Sequence, residues 1–316
     1  MKDFKAFAQK LISTGDYNGT ILYNEKMSKH TTFKIGGEVP LFFEPEDTDS
    51  LVFLLSLLKK ENVRFFILGG GSNIVFTDSV FDGVVVSLLK INKITVIENT
   101  EIKDDDVLIQ ADAGTSIASF VNFCAENGFS GAEEFAGLPG TVGGALFMNA
   151  RCFEKSISDL FVEAYYINLL DYTEQQKTFK NSEWAYKVSP FQKEPSLILS
   201  AVFLLKKNQK TSAEIKELNK KYIQSRKQKG HFSFPSAGSV FKNNRDFGFP
   251  SGKIIDDCSL RGKQLGNAQI APFHANFIIN LGGATQKDVK ALVDFTVNVV
   301  KEKTGFCLEP EIIFVD

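Results

Sequence analysis

Apolar residues recur along this chain with two periods, and the switches between them mark out its elements. Near the start Phe4, Phe7, Ala8, Leu11 and Ile12 fall on one face of a short helix that ends before Gly15-Asp16. Residues 28–37 predict a strand closed by a double glycine, and residues 40–44 predict another. Pro45-Glu-Asp-Thr48 then opens a helix over about 49–61, with Leu51, Leu54, Leu55 and Leu58 on one side. With the apolar runs at 65–68 and 74–76, residues 40–76 predict a β-α-β unit. Runs at 84–89 and 93–98 predict paired strands, and 107–111 a third. A helix over about 116–127 turns Ile117, Phe120, Val121 and Phe123 inward and ends at Gly128. Residues 160–169 and 197–204 are strand-like, and a charged helix over about 212–229 carries Ile215, Leu218, Tyr222 and Ile223 on one stripe. Thr285-Gln-Lys-Asp288 has the capping-box pattern for a helix over about 286–303, and the closing 306–314 is strand-like with an edge proline.

Composition narrows the function classes. With 316 residues the chain is long enough for more than one domain. A net charge of −2 argues against an electrostatic nucleic-acid footprint. No apolar run approaches the roughly 20 residues of a membrane span, and the start lacks the apolar stretch of a signal peptide. Cys124, Cys152, Cys258 and Cys307 are scattered without metal-ligand spacing, so they are expected to be reduced, buried thiols, and no metal is expected. The expectation is a cytoplasmic protein acting on small molecules, with no nucleic acid, membrane or obligate protein partner. The thirty phenylalanines read as core filler.

Two glycine clusters change that picture. Gly69-Gly-Gly-Ser-Asn73 lies between apolar runs, and Gly137, Gly140, Gly143 and Gly144 crowd into eight residues. Each glycine costs roughly 0.5–1 kcal/mol relative to Ala in a regular element, so the second cluster predicts a turning loop of bare backbone, with 145–148 returning to the core. Such loops aim main-chain N–H groups at an anion. Two of them predict one large phosphate-bearing ligand held from two sides. Neither is the G-x-G-x-x-G dinucleotide fingerprint.

Five motifs in order then carry a resemblance. They are Ser28-Lys-His-Thr-Thr-Phe-Lys-Ile-Gly-Gly37, Leu-Gly-Gly-Gly-Ser-Asn73, Gly137-Leu-Pro-Gly-Thr-Val-Gly-Gly144, Ser236-Ala-Gly-Ser-Val-Phe-Lys-Asn243 and Leu308-Glu-Pro-Glu-Ile312. From about residue 26 to the C-terminus the chain resembles the bacterial UDP-N-acetylenolpyruvoylglucosamine reductase (UDP-N-acetylmuramate dehydrogenase) family. The lack of a long insertion between Gly230 and Ser239 resembles its shorter, type II branch. The resemblance implies an α+β architecture. A two-subdomain FAD-binding fold of the vanillyl-alcohol-oxidase/PCMH type is followed by an α+β C-terminal substrate domain. On the chain this gives an N-terminal helical segment at 1–25, an FAD-binding domain at 26–210 (subdomains about 26–90 and 91–210) and a substrate domain at 211–316. It further implies non-covalent FAD, NADPH as hydride source, and reduction of an enolpyruvyl ether to a lactyl ether.

The same resemblance assigns candidate residues. Gly69, Gly70, Gly71, Gly137, Gly140, Thr141, Gly143 and Gly144 would cradle the flavin diphosphate, with Ser72, Asn73 and Asn149 adding side-chain hydrogen bonds. Hydride at the β-carbon leaves negative charge at the α-carbon and its carboxylate, so a proton and a charge stabiliser are needed. The family takes that proton from the second serine of Ala-Gly-Ser, here Ser239; on its own Ser239 reads as a turn residue. Where the family usually has Arg after Tyr186, this chain has Lys187, a point charge instead of a planar fork. Glu309 and Glu311, two apart, can face one side; motif alignment favours Glu311 as the catalytic carboxylate. Lys242 and Asn243 are expected substrate contacts, as is Tyr186; His274 borders the same region as a further candidate contact, though a histidine there is more often packed or hydrogen-bonded than a ligand. His30 invites a covalent-flavin reading that the family does not support. The family's Gly-rich segment after Asn149 is replaced by Ala-Arg-Cys-Phe-Glu154. An oxygen-using oxidase on the same scaffold, or a flavin-binding protein that has lost catalysis, are the competing readings.

Overall fold

The computed structural model describes residues 3–99 and 102–316. The chain groups into two compact units, one of residues 1–22, 41–70 and 83–224, the other of 23–40, 71–82 and 225–316. Here the N-terminal helix belongs to the first unit, and 23–40 and 71–82 group with the C-terminal third.

In the first unit, α1 (Phe4–Thr14) is capped by the Asp3 carboxylate, which accepts from the Ala6 N–H at 2.9 Å. It buries Phe7, Ala8 and Leu11, whereas Ile12, expected on that face, is exposed one position round the helix. Helix α2 (Thr48–Lys60) is capped by Asp47 and buries all four predicted leucines. The first sheet runs β1 (Gly19–Lys26), β2 (Glu38–Pro45), β5 (Val84–Ser87), β3 (Phe65–Leu68). The predicted pairing of 84–89 with 93–98 is not made. Val84-Val85-Val86 is buried throughout, as a central parallel strand requires, and it pairs with Leu41–Phe43 and Phe65–Ile67 on its two sides. The segment at 93–98 instead supplies β6 (Ile94–Ile97) to a second, antiparallel sheet. Its order is β11 (Glu174–Thr178), β10 (Phe161–Asn168), β12 (Ser196–Lys206), β7 (Asp106–Asp112), β6. Helix α3 (Ile117–Glu126) packs Phe120 against Phe203 of β12, ring centroids 5.0 Å apart. The glycine-rich run is not wholly a loop: α4 (Val142–Phe147) starts within it. Thr141 caps this helix, its hydroxyl accepting from the Gly144 N–H at 3.3 Å, and a Cβ on Gly143 would lie 2.7 Å from that of Ala113. Glycine serves close packing there, which offsets its low helix propensity. A hairpin, β8 (Arg151–Cys152) and β9 (Lys155–Ser156), follows.

In the second unit, an antiparallel sheet runs β13 (Ser236–Ser239), β16 (Phe277–Asn280), β15 (Ala268–Ile270), β14 (Gln264–Leu265). A parallel pair joins β17 (Ile313–Val315) to β4 (Ile74–Phe76). Helix α6 (Ser251–Asp257) lies between β13 and β14 in the chain, and α5 (Ser212–Gln228) carries the chain from the first unit into the second. Helix α7 (Gln286–Thr304) has the predicted reciprocal Thr285/Asp288 capping box. The Gln286 amide donates to the carbonyls of Val75 and Val315, tying the helix to both strands of the pair. Residues 28–37 are not the predicted strand. A 3-10 turn over Met27–Lys29 leads into a loop in which Thr31 donates to the Ile35 carbonyl and Lys34 has φ +58°. A threonine hydroxyl competing for backbone groups breaks the extended path, while Phe33 and Ile35 still reach the core.

Among the described residues no helix is long and apolar enough to cross a membrane, and no His/Cys/Asp/Glu cluster is fit to hold a metal. None of the four cysteines is in a disulfide; Cys307 is exposed, against expectation, because it follows the C-terminal glycine of α7 at the surface.

Burial holds His231 neutral, its pKa lowered to about 4 with help from Arg226, His274 and Lys229. Among the described residues neither ring nitrogen has a hydrogen-bond partner. An unfolded histidine titrates near 6.5, so between these values the unfolded chain binds more protons and stability falls as pH drops from about 6.5 towards about 4. Denaturant unfolding across that range should show the loss, and His231→Gln should reduce it, leaving the part due to His274, whose pKa burial also lowers; equal slopes in both proteins would assign the loss elsewhere.

Candidate active site

Inside the first unit Gly69 and Gly70 meet the second glycine cluster. A Cβ on Gly70 would lie 2.6 Å from the Gly140 Cα, and one on Gly69 would lie 2.6 Å from the Thr141 hydroxyl oxygen. Only bare backbone fits this approach, and Gly140, at φ +107°, also needs glycine for its own conformation. Among the described residues the N–H groups of Gly69, Gly70, Gly140 and Thr141 donate to no protein acceptor. Unspent amides on two abutting loops fit a diphosphate, which takes several N–H donors at close range. Gly137 shapes the second loop at φ +77°. Gly143 and Gly144, by contrast, donate to Ala113 and Thr141 within the protein.

Asn149, expected to reach the flavin, is buried, and its amide is spent elsewhere. Its Nδ2 donates to the Ala185 carbonyl at 2.8 Å, and its Oδ1 accepts from the Ser158 N–H at 3.4 Å. Ala185 opens the tight turn that presents Tyr186 and Lys187, closed by reciprocal Ala185–Val188 backbone bonds. Tyr186 is exposed and Lys187 half-buried, at φ +59°. The Ser189 hydroxyl and the Gln192 amide both donate to the Phe147 carbonyl at 2.7 Å, and Gln192 also reaches the Lys187 carbonyl at 3.3 Å. Gln192 escaped the sequence reading, since a surface glutamine carries no pattern of its own. Arg151 pairs with Glu154 across the hairpin that replaces the family's glycine segment.

The second unit gathers the serine and the carboxylate. Ser239 ends β13, half-buried, and among the described residues its hydroxyl makes no hydrogen bond. Just beyond it the chain pairs with the closing segment: Glu311 N–H donates to the Val240 carbonyl at 2.7 Å and Lys242 N–H to Glu309 at 2.9 Å. This register separates the two glutamates. Glu309 is exposed and ion-paired to Lys242, whereas Glu311 is half-buried. The Asn276 amide holds both backbone groups of Phe241, at 2.9 and 2.8 Å, bracing the strand beside Ser239. Asn73 donates to the Glu311 carbonyl at 3.1 Å and accepts through its own backbone from Ile313. Gly71, against the His30 carbonyl, and the half-buried Ser72 lie in the same turn. Asn243 caps α6, its Oδ1 accepting from Ser251 N–H at 2.9 Å. His274 is packed between His231 and Phe277, its Nδ1 accepting from Asn276 N–H at 3.3 Å; burial lowers its pKa. The His30 ring is engaged by Glu25 at 3.0 Å.

These features define a flavoprotein: an FAD-binding domain of the PCMH type joined to a separate α+β domain. Residues 39–167 match the family model described as FAD binding domain, and 227–315 match that of the UDP-N-acetylenolpyruvoylglucosamine reductase C-terminal domain. The UDP-N-acetylenolpyruvoylglucosamine reductase of Treponema denticola is 44% identical over 309 residues, covering 94% of each chain. That of Borreliella burgdorferi is 38% identical, covering 92% of this chain and 93% of its own. The crystal structure of the Thermus caldophilus enzyme superposes with a TM-score of 0.73 at 25% identity, covering 95% of this chain and all of that one. The chain belongs to the UDP-N-acetylenolpyruvoylglucosamine reductase family.

Gly70→Ala should weaken FAD binding by about tenfold or more, because parting the two loops misaims amides that each contribute roughly 1.5–3 kcal/mol to a charged ligand. Titrating apoprotein with FAD by flavin fluorescence measures it; unchanged affinity would place the diphosphate elsewhere.

Proposed function

We propose that this protein reduces UDP-N-acetylglucosamine enolpyruvate to UDP-N-acetylmuramate, using NADPH and non-covalently held FAD, as a cytoplasmic step of peptidoglycan precursor synthesis. The observation that carries this reading is the pairing of Ser239's strand with the segment bearing Glu311. That pairing sets a free hydroxyl and a sheltered carboxylate on neighbouring backbone. Bound FAD would supply the hydride that goes to the β-carbon. Gly69, Gly70, Gly140 and Thr141 would hold its diphosphate through their unspent N–H groups.

The remaining chemistry falls to side chains. Ser239 gives its hydroxyl proton to the α-carbon; an alcohol is a weak acid, but the carbanion-like centre is a strong base. Among the described residues no hydrogen bond competes for it, so the hydroxyl can turn towards substrate. Glu311 acts from the closing segment, and the exposure of Glu309 in its ion pair with Lys242 favours that assignment. Lys187 supplies positive charge to the substrate carboxylate, which carries the charge developing next to the α-carbon. Tyr186 is exposed and Lys242, half-buried, can exchange its Glu309 partner for the nucleotide-sugar, whereas Asn243 supports the site through α6 and His274 through the turn that precedes β16.

Ser239→Ala should leave flavin reduction by NADPH near wild-type and slow reoxidation by the enolpyruvyl substrate by about 10²–10⁴-fold, the usual contribution of a positioned acid. Anaerobic stopped-flow absorbance separates the two halves. Equal losses in both would point to a folding or flavin defect, and an unimpaired second half would rule out Ser239 as the acid. An oxidase or an inert flavin binder would not recover flavin absorbance on adding substrate.

Lys187→Arg should keep or raise turnover, while Lys187→Ala should lower it by about tenfold or more, as loss of a charge-assisted contact requires. Steady-state kinetics on the two variants decides this. A fully active Lys187→Ala would show that another cation holds the carboxylate.

A further inference from the structure

Lys187 stands in a conformation that its side chain disfavours. At φ +59° in the third position of a four-residue turn, Gly or Asn is the ordinary choice. A residue held against its preference persists only where its surroundings over-determine it, and such positions cluster at functional sites. Here three side chains do the holding. Ser189 and Gln192 both donate to the Phe147 carbonyl, Gln192 also caps the Lys187 carbonyl, and Asn149 fixes Ala185 at the turn's start. Phe147 and Asn149 lie at the end of α4, whose capping residue Thr141 belongs to the glycine cradle. Five helical residues, 142–146, therefore separate Thr141 of the cradle from Phe147, the anchor of the lysine turn.

We propose that Ser189, Gln192 and Asn149 are positioning residues that fasten the Tyr186–Lys187 turn to the end of α4, so that the lysine ammonium is presented at a fixed place relative to the cradle. This rests on the reading of Lys187 as the carboxylate-binding cation. The role differs from that expected of Asn149: both of its polar groups serve the protein, and it acts on substrate only through the turn. Asn149 and Gln192 bond the turn itself and Ser189 fastens the residue after it, in addition to the turn's own closing hydrogen bonds. Lysine gains most from such bracing, because its flexible stem, unlike the planar fork of arginine, does not organise itself on a carboxylate.

The test is a double-mutant cycle on the full, FAD-loaded chain. Ser189→Ala and Gln192→Ala, singly and together, are made with Lys187 and with Lys187→Ala. Binding of the enolpyruvyl substrate is read from perturbation of the oxidised-flavin absorbance spectrum, and reoxidation by stopped flow. With Lys187 present, the double substitution should weaken substrate binding and slow reoxidation by about tenfold, within the range of coupling between contacting residues, while FAD affinity stays at wild-type. With Lys187→Ala the same substitution should add nothing. An equal loss in both backgrounds, or no loss in either, overturns the positioning role. A Lys187→Ala protein with unimpaired substrate binding instead removes the carboxylate reading on which the proposal rests. Gln192 is exposed, so Gln192→Ala alone carries the cycle if burial of Ser189 makes its variant unstable.

Discussion

The site depends on two stretches of backbone that touch without side chains. At Gly70 and Gly140 the main chains approach so closely that a single methyl group would lie 2.6 Å from the facing Cα. The approach concentrates four unspent amides in one place, which neither loop could do alone. It also explains a cost: glycine clusters lower the propensity for regular structure. Capping by Thr141 and packing of Gly143 on Ala113 offset that cost, so α4 forms in spite of its glycines.

Asparagines do the second job, tying chemistry to scaffold. Asn73 holds the backbone of Glu311, Asn149 that of Ala185, and Asn276 both backbone groups of Phe241. A buried amide that satisfies backbone groups is worth more than its own bonds, because removing it leaves those groups desolvated and unpaired. In each case the strand or turn so held bears, or adjoins, a residue assigned to the reaction. The carboxamide suits this use, since it donates and accepts at once and carries no charge to bury.

Glu309 and Glu311 show how backbone pairing gives two neighbouring carboxylates different surroundings. Both lie on one short segment, and spacing alone would turn them to the same side. The bridge between Phe241 and Pro310 and the bonds on either side of it bring Glu309 out to Lys242 at the surface and leave Glu311 half-sheltered. Charge pairing at the surface contributes little to stability, but here it occupies the exposed glutamate and its lysine with each other.

Much of this was legible in the sequence. Helices with a strong 3.6-residue stripe or an explicit cap, such as α2 and α7, stand where the pattern puts them, since local hydrogen bonding and amphipathicity decide them. The glycine clusters, Ser239 and the closing segment were visible because bare backbone and short ordered motifs leave a signature in residue identity. Strand partners were not. Val84–Val86 looks the same whether it pairs with 93–98 or sits between β2 and β3, because an apolar run names no neighbour. The loop at 28–37 and the helix within the glycine run were hidden for a like reason: each rests on contacts with residues distant in the chain. Residue types therefore determined which groups could do the chemistry. Tertiary structure alone decided which asparagine amides are spent on the scaffold, which glutamate is sheltered and what holds Lys187 in place, since a hydrogen-bond partner is set by position in space and not by order in the chain.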